Sequence, residues 1–365
     1  MLLRKIQIAS FSVEMLESSV FIETSVPLAM KFSVIIATHN RADSLRETLG
    51  SLAKLNTSAA WEAIVVDNNS TDSTRAVVDE VARTFPVELR YLFEAEQGKF
   101  AALNQAIGAS RGEIIATTDD DAFIAPDWLD RAAEGLERFN CDFVGGRVLP
   151  VWGGPRPNWL PDRPGLHWAV IALLDLGAEP VEFGCNGKPW PLGVNEVTRR
   201  EAFDRAGLFD NRLGRKAGTL RNQANREWHI RARDAGIRGF YIPELVVHHV
   251  VPADRLKKKY FRSWLYWHGI SRAILYEKLG VDMESPDNSE LDFSKVPHIA
   301  GVPRYLYRSF QRSFSKMLGE SIRRDPVASF ESELKLWFYA GIFKQRWKNR
   351  HVGPYTGVLT RKDAQ

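Results

Sequence analysis

An α/β fold, with a mostly parallel sheet flanked by helices and followed by a helical C-terminal extension, is predicted by three observations. From residue 31 onward, apolar runs of strand length alternate with amphipathic stretches of helix length, the pattern of βαβ units. Several runs end in polar or acidic residues, and open α/β sheets bind ligands outside the carboxyl ends of their strands. Beyond residue 252 the chain changes to long basic, aromatic segments with helical spacing. The 365 residues are 44% hydrophobic and 26% charged, which excludes disorder as the main state, and two cysteines exclude a disulfide scaffold. No apolar run reaches the roughly 18 residues needed to cross a bilayer.

The elements follow in order. Residues 1–29 form an N-terminal extension whose Glu14, Glu17 and Glu23 interrupt any signal-like core. Met30 directly precedes the first strand, so translation is expected to start there, with residues 1–29 a disordered or mis-assigned extension and an ordinary N-terminal arm as the alternative. Phe32–Ala37 is the first strand. Ser44-Leu-Arg-Glu47 reads as a capping box opening a helix with Leu45, Leu49 and Leu52 on one face. Trp61–Asp67 is the second strand, Val77, Val78 and Val81 mark the second helix, and Glu88–Phe93 is the third strand. Lys99–Ser110 is helical and Glu113–Thr118 is the fourth strand. Residues 145–195 are rich in Gly, Pro and Trp and read as a long loop region. A helix is expected at 223–235, strands near 238–248, and helical segments over 254–280 and 302–347.

Chemistry gathers at the strand tips. Asp119, Asp120 and Asp121 follow the fourth strand, and three adjacent like charges call for compensation. A divalent cation held with phosphate oxygens is one solution and a solvated acidic turn is the other. Asp67 ends the second strand and can accept from a base N–H; a helix cap fits Asp72 better. Ala37-Thr38-His39-Asn40 ends the first strand, so three tips converge on one edge.

In this order the motifs resemble the family 2 glycosyltransferases, which have the Rossmann-like GT-A fold. SVIIATHNRADSL is similar to the segment that cradles the nucleotide base, which implies donor contacts from Ala37, Thr38, His39, Asn40 and Arg41. VVDNNSTD is similar to the base-recognising segment, implying Asp67 and Asn69. EQGKFAALNQAIGASRGEII places Gly98, Lys99 and Asn104 at family positions. TTDDDAFIAPDWL is similar to the DxD element, with Asp121 at the metal position, Asp119 as the first acid of the pair and Asp120 beside the ribose or the metal. PLGVNEVTRREAFDRAGLFDNRLG resembles the acceptor-side segment, implying Gly193 and Asn195. IPELVVHHVVPADR carries a late histidine, with His249 matching a metal or diphosphate contact. The resemblance spans about residues 31–256 and divides the chain into a catalytic domain at 30–252, with a nucleotide half at 30–145 and an acceptor half at 146–252, and an extension at 253–365. It implies a Mg²⁺ or Mn²⁺ cofactor, a UDP-, GDP- or dTDP-linked sugar donor, a glycan or lipid-linked acceptor and an inverting transfer in polysaccharide or glycolipid synthesis.

One departure bears on the chemistry. The family's Glu-Asp pair, whose Asp is the general base, aligns with Ala224-Asn225 in LRNQANREWHIRARDAG. An amide oxygen is too weak a base to take a proton at neutral pH. Asp-to-Asn at a general base costs on the order of 10²–10⁴ in rate. Three readings stay open: a weak or inactive nucleotide-sugar-binding relative; Glu227, one turn along the same helix, as substitute; or a base elsewhere, such as Asp210 or the acceptor itself.

Trp152, Trp159, Trp168 and Trp190 lie in or near the Gly/Pro-rich region. Trp152 and Trp190 are candidate acceptor-side rings, and packing suits Trp168. The charge of +4 divides into −5 over residues 1–250 and +9 over 251–365. In the basic part, Tyr260, Phe261, Trp264, Leu265 and Trp267 follow three lysines, and LKLWFYAGIF precedes Lys344, Arg346, Lys348 and Arg350. Peripheral attachment to anionic lipid at the cytoplasmic face and a helical subdomain with a solvated basic face fit these residues equally. Nucleic-acid binding is not expected, since no recognition motif accompanies the charge.

Overall fold

A computed structural model of the chain describes residues 31–185, 189–215, 218–285 and 295–352. The expectations for residues 1–29 and Met30 lie outside these. The N-terminal half alternates as expected: β1 Phe32–Thr38, α1 Ala42–Leu52, β2 Trp61–Asp67, α2 Thr74–Val81, β3 Leu89–Phe93, α3 Lys99–Ala109 and β4 Ile114–Asp119. There follow β5 Ala122–Ile124, α4 Trp128–Arg138, β6 Phe143–Trp152, α5 Leu166–Val170, β7 Val181–Glu182, β8 Glu196–Arg199, α6 Arg200–Ala206, α7 Ala224–Asp234 and β9 Gly239–Val251. The extension holds α8 Lys258–Leu279, α9 Arg304–Ile322 and α10 Pro326–Lys348.

One sheet carries the domain, in the order β3-β2-β1-β4-β8-β6-β9-β5, with β7 on β9. β3, β2, β1 and β4 run parallel, as do β6 and β9. β8 is antiparallel to both β4 and β6 and joins the two parallel sets. Every residue of β2 is buried, and β1 has one partly exposed position. Such unbroken apolar strands are covered by helices on both faces. Because β1, β2 and β4 are parallel, their carboxyl ends, Thr38, Asp67 and Asp119, come out along one edge.

Three local expectations are corrected. The proposed capping box is not formed: α1 starts at Ala42, and Ser44 lies inside its first turn, donating to the Asp120 carbonyl at 2.7 Å. Asp72 serves instead, accepting from the N–H groups of Ala42 and Thr74 at 3.0 Å and so tying the starts of α1 and α2. The region 145–195 is not loop throughout, because β6 runs to Trp152. Its Gly146 marks a register shift against β9, where a Cβ would meet the Leu245 carbonyl oxygen at 1.8 Å. The helical run 302–347 breaks into two helices, since Asp325 caps α10 through Val327 and Ala328 and Pro326 occupies its first turn.

The extension is not a separate layer. Phe261 and Leu265 of α8 and Phe330 and Leu334 of α10 belong to the same buried cluster as the sheet. Trp159 packs edge-on to Phe261 and Phe330 at 5.1 Å, and Trp168 is buried as expected. In LKLWFYAGIF, Leu334, Tyr339 and Ile342 are buried and Phe338 and Phe343 pack against them, leaving Trp337 40% exposed, which favours packing over lipid contact for most of that segment. Two glycines allow α8 and α10 to touch backbone to backbone. A Cβ on Gly269 would meet the Phe338 carbonyl oxygen at 1.9 Å, and one on Gly341 would meet that of Tyr266 at 2.0 Å.

Candidate active site

A cleft of about 710 Å³ opens at the carboxyl edge of the parallel strands. The tip of β1 supplies Ala37, Thr38, His39 and Arg41; the start of α3 supplies Gly98 and Lys99; β4 and the turn after it supply Asp119, Asp120 and Asp121. These side chains form one network. Thr38 donates to Asp120 at 2.7 Å, and Arg41 bridges Asp120 at 2.9 Å and Asp121 at 2.5 Å. Lys99 pairs with Asp119. Gly98 opens α3 at φ 144°, a conformation and a closeness that suit glycine, since a Cβ would meet Asn211 at 2.5 Å.

Asp119, Asp121 and His249 bring one ligand atom each within 4.8 Å of one another. His249 reaches this point from the far side of the sheet, because Ala122 of β5 pairs with it on β9. Its Nε2 lies 3.2 Å from Asp121, while its buried Nδ1 has no hydrogen-bond partner among the described residues. Burial would raise the Asp121 carboxyl, but hydrogen bonding and charge from His249, with Arg41 and Arg255, hold it well below the usual carboxylate range. Asp120 goes the other way, pushed up chiefly by burial against the opposing pull of Arg41. Two carboxylates, one of them strongly ionised, and an imidazole with an unsatisfied nitrogen make a donor set that fits a divalent cation.

Residues 33–205 match the family model Glycosyl transferase family 2. Glycosyltransferase AglE of Haloferax volcanii is 36% identical over 236 residues, covering 63% of this chain and 70% of that protein. The chain belongs to the family 2 glycosyltransferases. The succinoglycan biosynthesis protein ExoM of Rhizobium meliloti is 28% identical, covering 62% of this chain and 71% of its own. Among solved structures, the mannosyltransferase PcManGT from Pyrobaculum calidifontis, in complex with GDP-Man and Mn²⁺, superposes with a TM-score of 0.57 at 20% identity over 87% of both chains. That likeness is one of fold, GT-A with a helical C-terminal region.

Within the glycosyltransferase, the expected site residues fall into two groups. Ala37, Thr38, His39, Arg41, Gly98, Lys99, Asp119, Asp120, Asp121, Gly193, Trp190, Asn225 and His249 border the cleft. The others brace it. Asp67 accepts from Ser70 N–H and the Tyr91 hydroxyl at 2.8 Å, Asn40 holds Thr71 N–H, and Asn69 turns the chain at φ 64°. Asn104 clamps the Phe209 backbone, and Asn195 is fully buried, accepting from Trp128 and donating to the Arg147 and Leu245 carbonyls. Trp152, at the end of β6, does not border the cleft; it packs on the core.

The two acids considered as substitute bases are also elsewhere. Glu227 lies two residues past Asn225, about 200° around the helix, so it faces away from the cleft. There it is fully buried and held by Arg231 at 2.8 Å and Lys278 at 2.7 Å. Asp210 shares Lys278 and pairs with Arg212, which holds its carboxyl well below the usual range despite partial burial.

Sequence reasoning missed several cleft residues. Asn68, next to Asp67, binds Gly98 N–H and the Glu94 and Glu96 carbonyls, and so ties β2 to the start of α3. Tyr260, Trp264 and His268 come to the cleft from α8; the aromatic cluster was visible, but not which face would look inward. Glu196, at the start of β8, is 3% exposed and also borders the cleft. An acid between the apolar Val194 and Val197 was its signal.

Proposed function

We propose that this glycosyltransferase moves a sugar from a nucleoside-diphosphate donor to a hydroxyl acceptor, with inversion, in polysaccharide or glycolipid assembly. The meeting of Asp119, Asp121 and His249 at the parallel strand tips carries this reading. A divalent cation held by these three residues would stabilise the charge that develops on the departing diphosphate. The mixed carboxylate and imidazole donors suit Mn²⁺ better than Mg²⁺. Arg41 and Lys99, already beside the acids, add positive charge where the diphosphate would lie. The β1 tip and the segment after β2 form the base and ribose end. Gly193, Tyr260 and Trp264 shape the opposite end, where a sugar acceptor would stack on aromatic faces, and the buried Trp190 backs it. ExoM's name places that relative in polysaccharide synthesis, which supports the acceptor class.

The test is release of nucleoside diphosphate from UDP-, GDP- and dTDP-sugars with Mn²⁺ or Mg²⁺. Turnover with one donor and dependence on the cation are expected; tight binding without turnover would favour the second reading, a donor-binding relative lacking catalysis. Asn225 at the family's base position is the observation behind that second reading.

Contact with anionic lipid belongs to the same proposal, but through a different element from the one the sequence suggested. Phe314, Leu318 and Ile322 of α9, four residues apart, form an exposed apolar stripe, with Ile322 83% exposed. Arg312, Lys316, Arg323 and Arg324 flank it. Basic residues beside an exposed apolar helix face suit an anionic bilayer surface. No helix among the described residues is long and apolar enough to cross a membrane. Flotation with phosphatidylglycerol vesicles is expected, and loss of it in Ile322→Asp; a wild-type chain that stays at the bottom of the gradient contradicts lipid contact.

A further inference from the structure

Glu196 sits in the cleft with partners unlike those of the other acids. Antiparallel pairing sets it opposite Thr117 on β4, so its side chain shares the face of Thr117 and Asp119. Asp119 is the next residue on that face, one pleat repeat or roughly 7 Å along the strand. Asp119, Asp120 and Asp121 are engaged by Lys99 and Arg41. The Glu196 oxygens instead meet an imidazole and an amide: Oε1 lies 3.0 Å from His229 Nε2, and Oε2 lies 3.3 Å from Asn225 Nδ2.

The sequence of α7 explains this cradle. Asn225 and His229 are four residues apart and so present one helix face. His229 Nδ1 lies 2.8 Å from the Asn225 carbonyl, to which it can only donate, so Nε2 serves the ionised carboxylate as a second N–H donor, with the ring carrying both protons as an ion pair with Glu196. Trp190 stacks on the ring at 5.0 Å and 22° and fixes its plane. A carboxylate has about four acceptor sites, so Oε2 keeps a lone pair after binding the Asn225 amide. The departure at 225 is chemically matched to Glu196. An amide at 225 donates to Glu196, whereas an Asp there would set two like charges about 3.3 Å apart.

We propose that Glu196 is the general base of this transferase, standing in for the carboxylate missing at 225. The assignment rests on the transferase reading above. As the acceptor oxygen bonds to the anomeric carbon, its proton passes to Glu196 Oε2. The bond from that carbon to the diphosphate oxygen breaks, and its electron pair leaves on the nucleoside diphosphate. Asn225 and His229 are positioning residues that aim the carboxylate. Glu196 later returns the proton to solvent.

The experiment follows nucleoside diphosphate release from UDP-glucose, UDP-N-acetylglucosamine and GDP-mannose with Mn²⁺, beside equilibrium binding of UDP and GDP. Glu196→Gln, which keeps the shape, is expected to lower kcat on the order of 10²–10⁴-fold. Nucleotide affinity should stay within about threefold, as befits a group acting only in the transition state. Glu196→Asp, which keeps the carboxylate, should be the faster of the two variants. Asn225→Asp alone should give no gain, while in the Glu196→Gln background it should restore at least about tenfold by moving the carboxylate to the facing side chain. Glu196→Gln turning over within about threefold of wild type overturns the assignment. So does a wild-type chain that binds nucleotide without turnover and gains activity from Asn225→Asp alone. A wild-type chain that binds neither UDP nor GDP with Mn²⁺ defeats the transferase reading itself, and the assignment falls with it.

Discussion

At the scale of single residues, the side chains that touch ligand and those that hold the protein together use similar chemistry in different places. Glu62 shows the second kind. It lies near the amino end of β2, away from the cleft, and accepts from Ser33, Arg90 and Arg111 at 2.7–3.0 Å. Burial alone would raise its carboxyl, but these donors outweigh it and hold the group down at about 2, against an ordinary value of 4.5. A folded-state value below the unfolded one stabilises the fold above the unfolded value, and that contribution is lost as pH falls. Thermal stability is therefore expected to decline between about pH 4.5 and 2, and Glu62→Gln should show a lower melting temperature at pH 7 and a flatter acid limb. Equal pH dependence in both proteins would remove Glu62 from the acid response. The Asp triplet at the end of the fourth strand was legible in the sequence because spacing along one strand tip carries that information. Glu196 and Asn68 were not, because their roles depend on neighbours brought in from α7 and α3.

At the scale of elements, alternation of strands and helices was readable through β4, where each apolar run is continuous and each helix is short. It failed where two periods overlap. β6 was hidden by its own glycines and proline, and α9 and α10 merged because only the cap at Asp325 separates them. Which face of a helix looks inward was the other blind spot. Glu227 was placed with the cleft by helical spacing, yet α7 turns it toward Lys278 of α8. The crossing of α8 and α10 was also invisible, since Gly269 and Gly341 read in sequence as ordinary helix-weakening residues. Each meets backbone carbonyl across the interface, so Gly269→Ala or Gly341→Ala is expected to lose on the order of 1–3 kcal/mol by overpacking. Denaturant unfolding measures this; a change below about 0.5 kcal/mol, the usual size for a surface site, would mean the helices are free to separate.

At the scale of the whole molecule, the division of charge drawn from the sequence acquires a physical meaning. The acidic part holds the Asp119–Asp121 cluster, and the basic part forms α8, α9 and α10. The boundary at 252 is nonetheless not a boundary in packing. Phe261, Leu265, Phe330 and Leu334 complete the core under Trp159 and Trp168, and Tyr260 and Trp264 complete the cleft. A chain ending at residue 252 is therefore expected to expose that apolar surface and to aggregate or bind a hydrophobic dye, measured against the full chain. A soluble, cooperatively unfolding truncation would restore the two-domain division.

In the proposed reaction, Asp119, Asp121 and His249 hold a divalent cation against the diphosphate of a nucleotide donor. Electron paramagnetic resonance of free Mn²⁺, titrated with the full-length protein with and without UDP or GDP, reads this directly. Wild type is expected to bind close to one Mn²⁺ per chain, more tightly when nucleotide is present, and Asp121→Asn to lose at least about tenfold in affinity through the missing charged ligand. Undiminished Mn²⁺ binding by Asp121→Asn, or binding indifferent to nucleotide, would rule out this cation site.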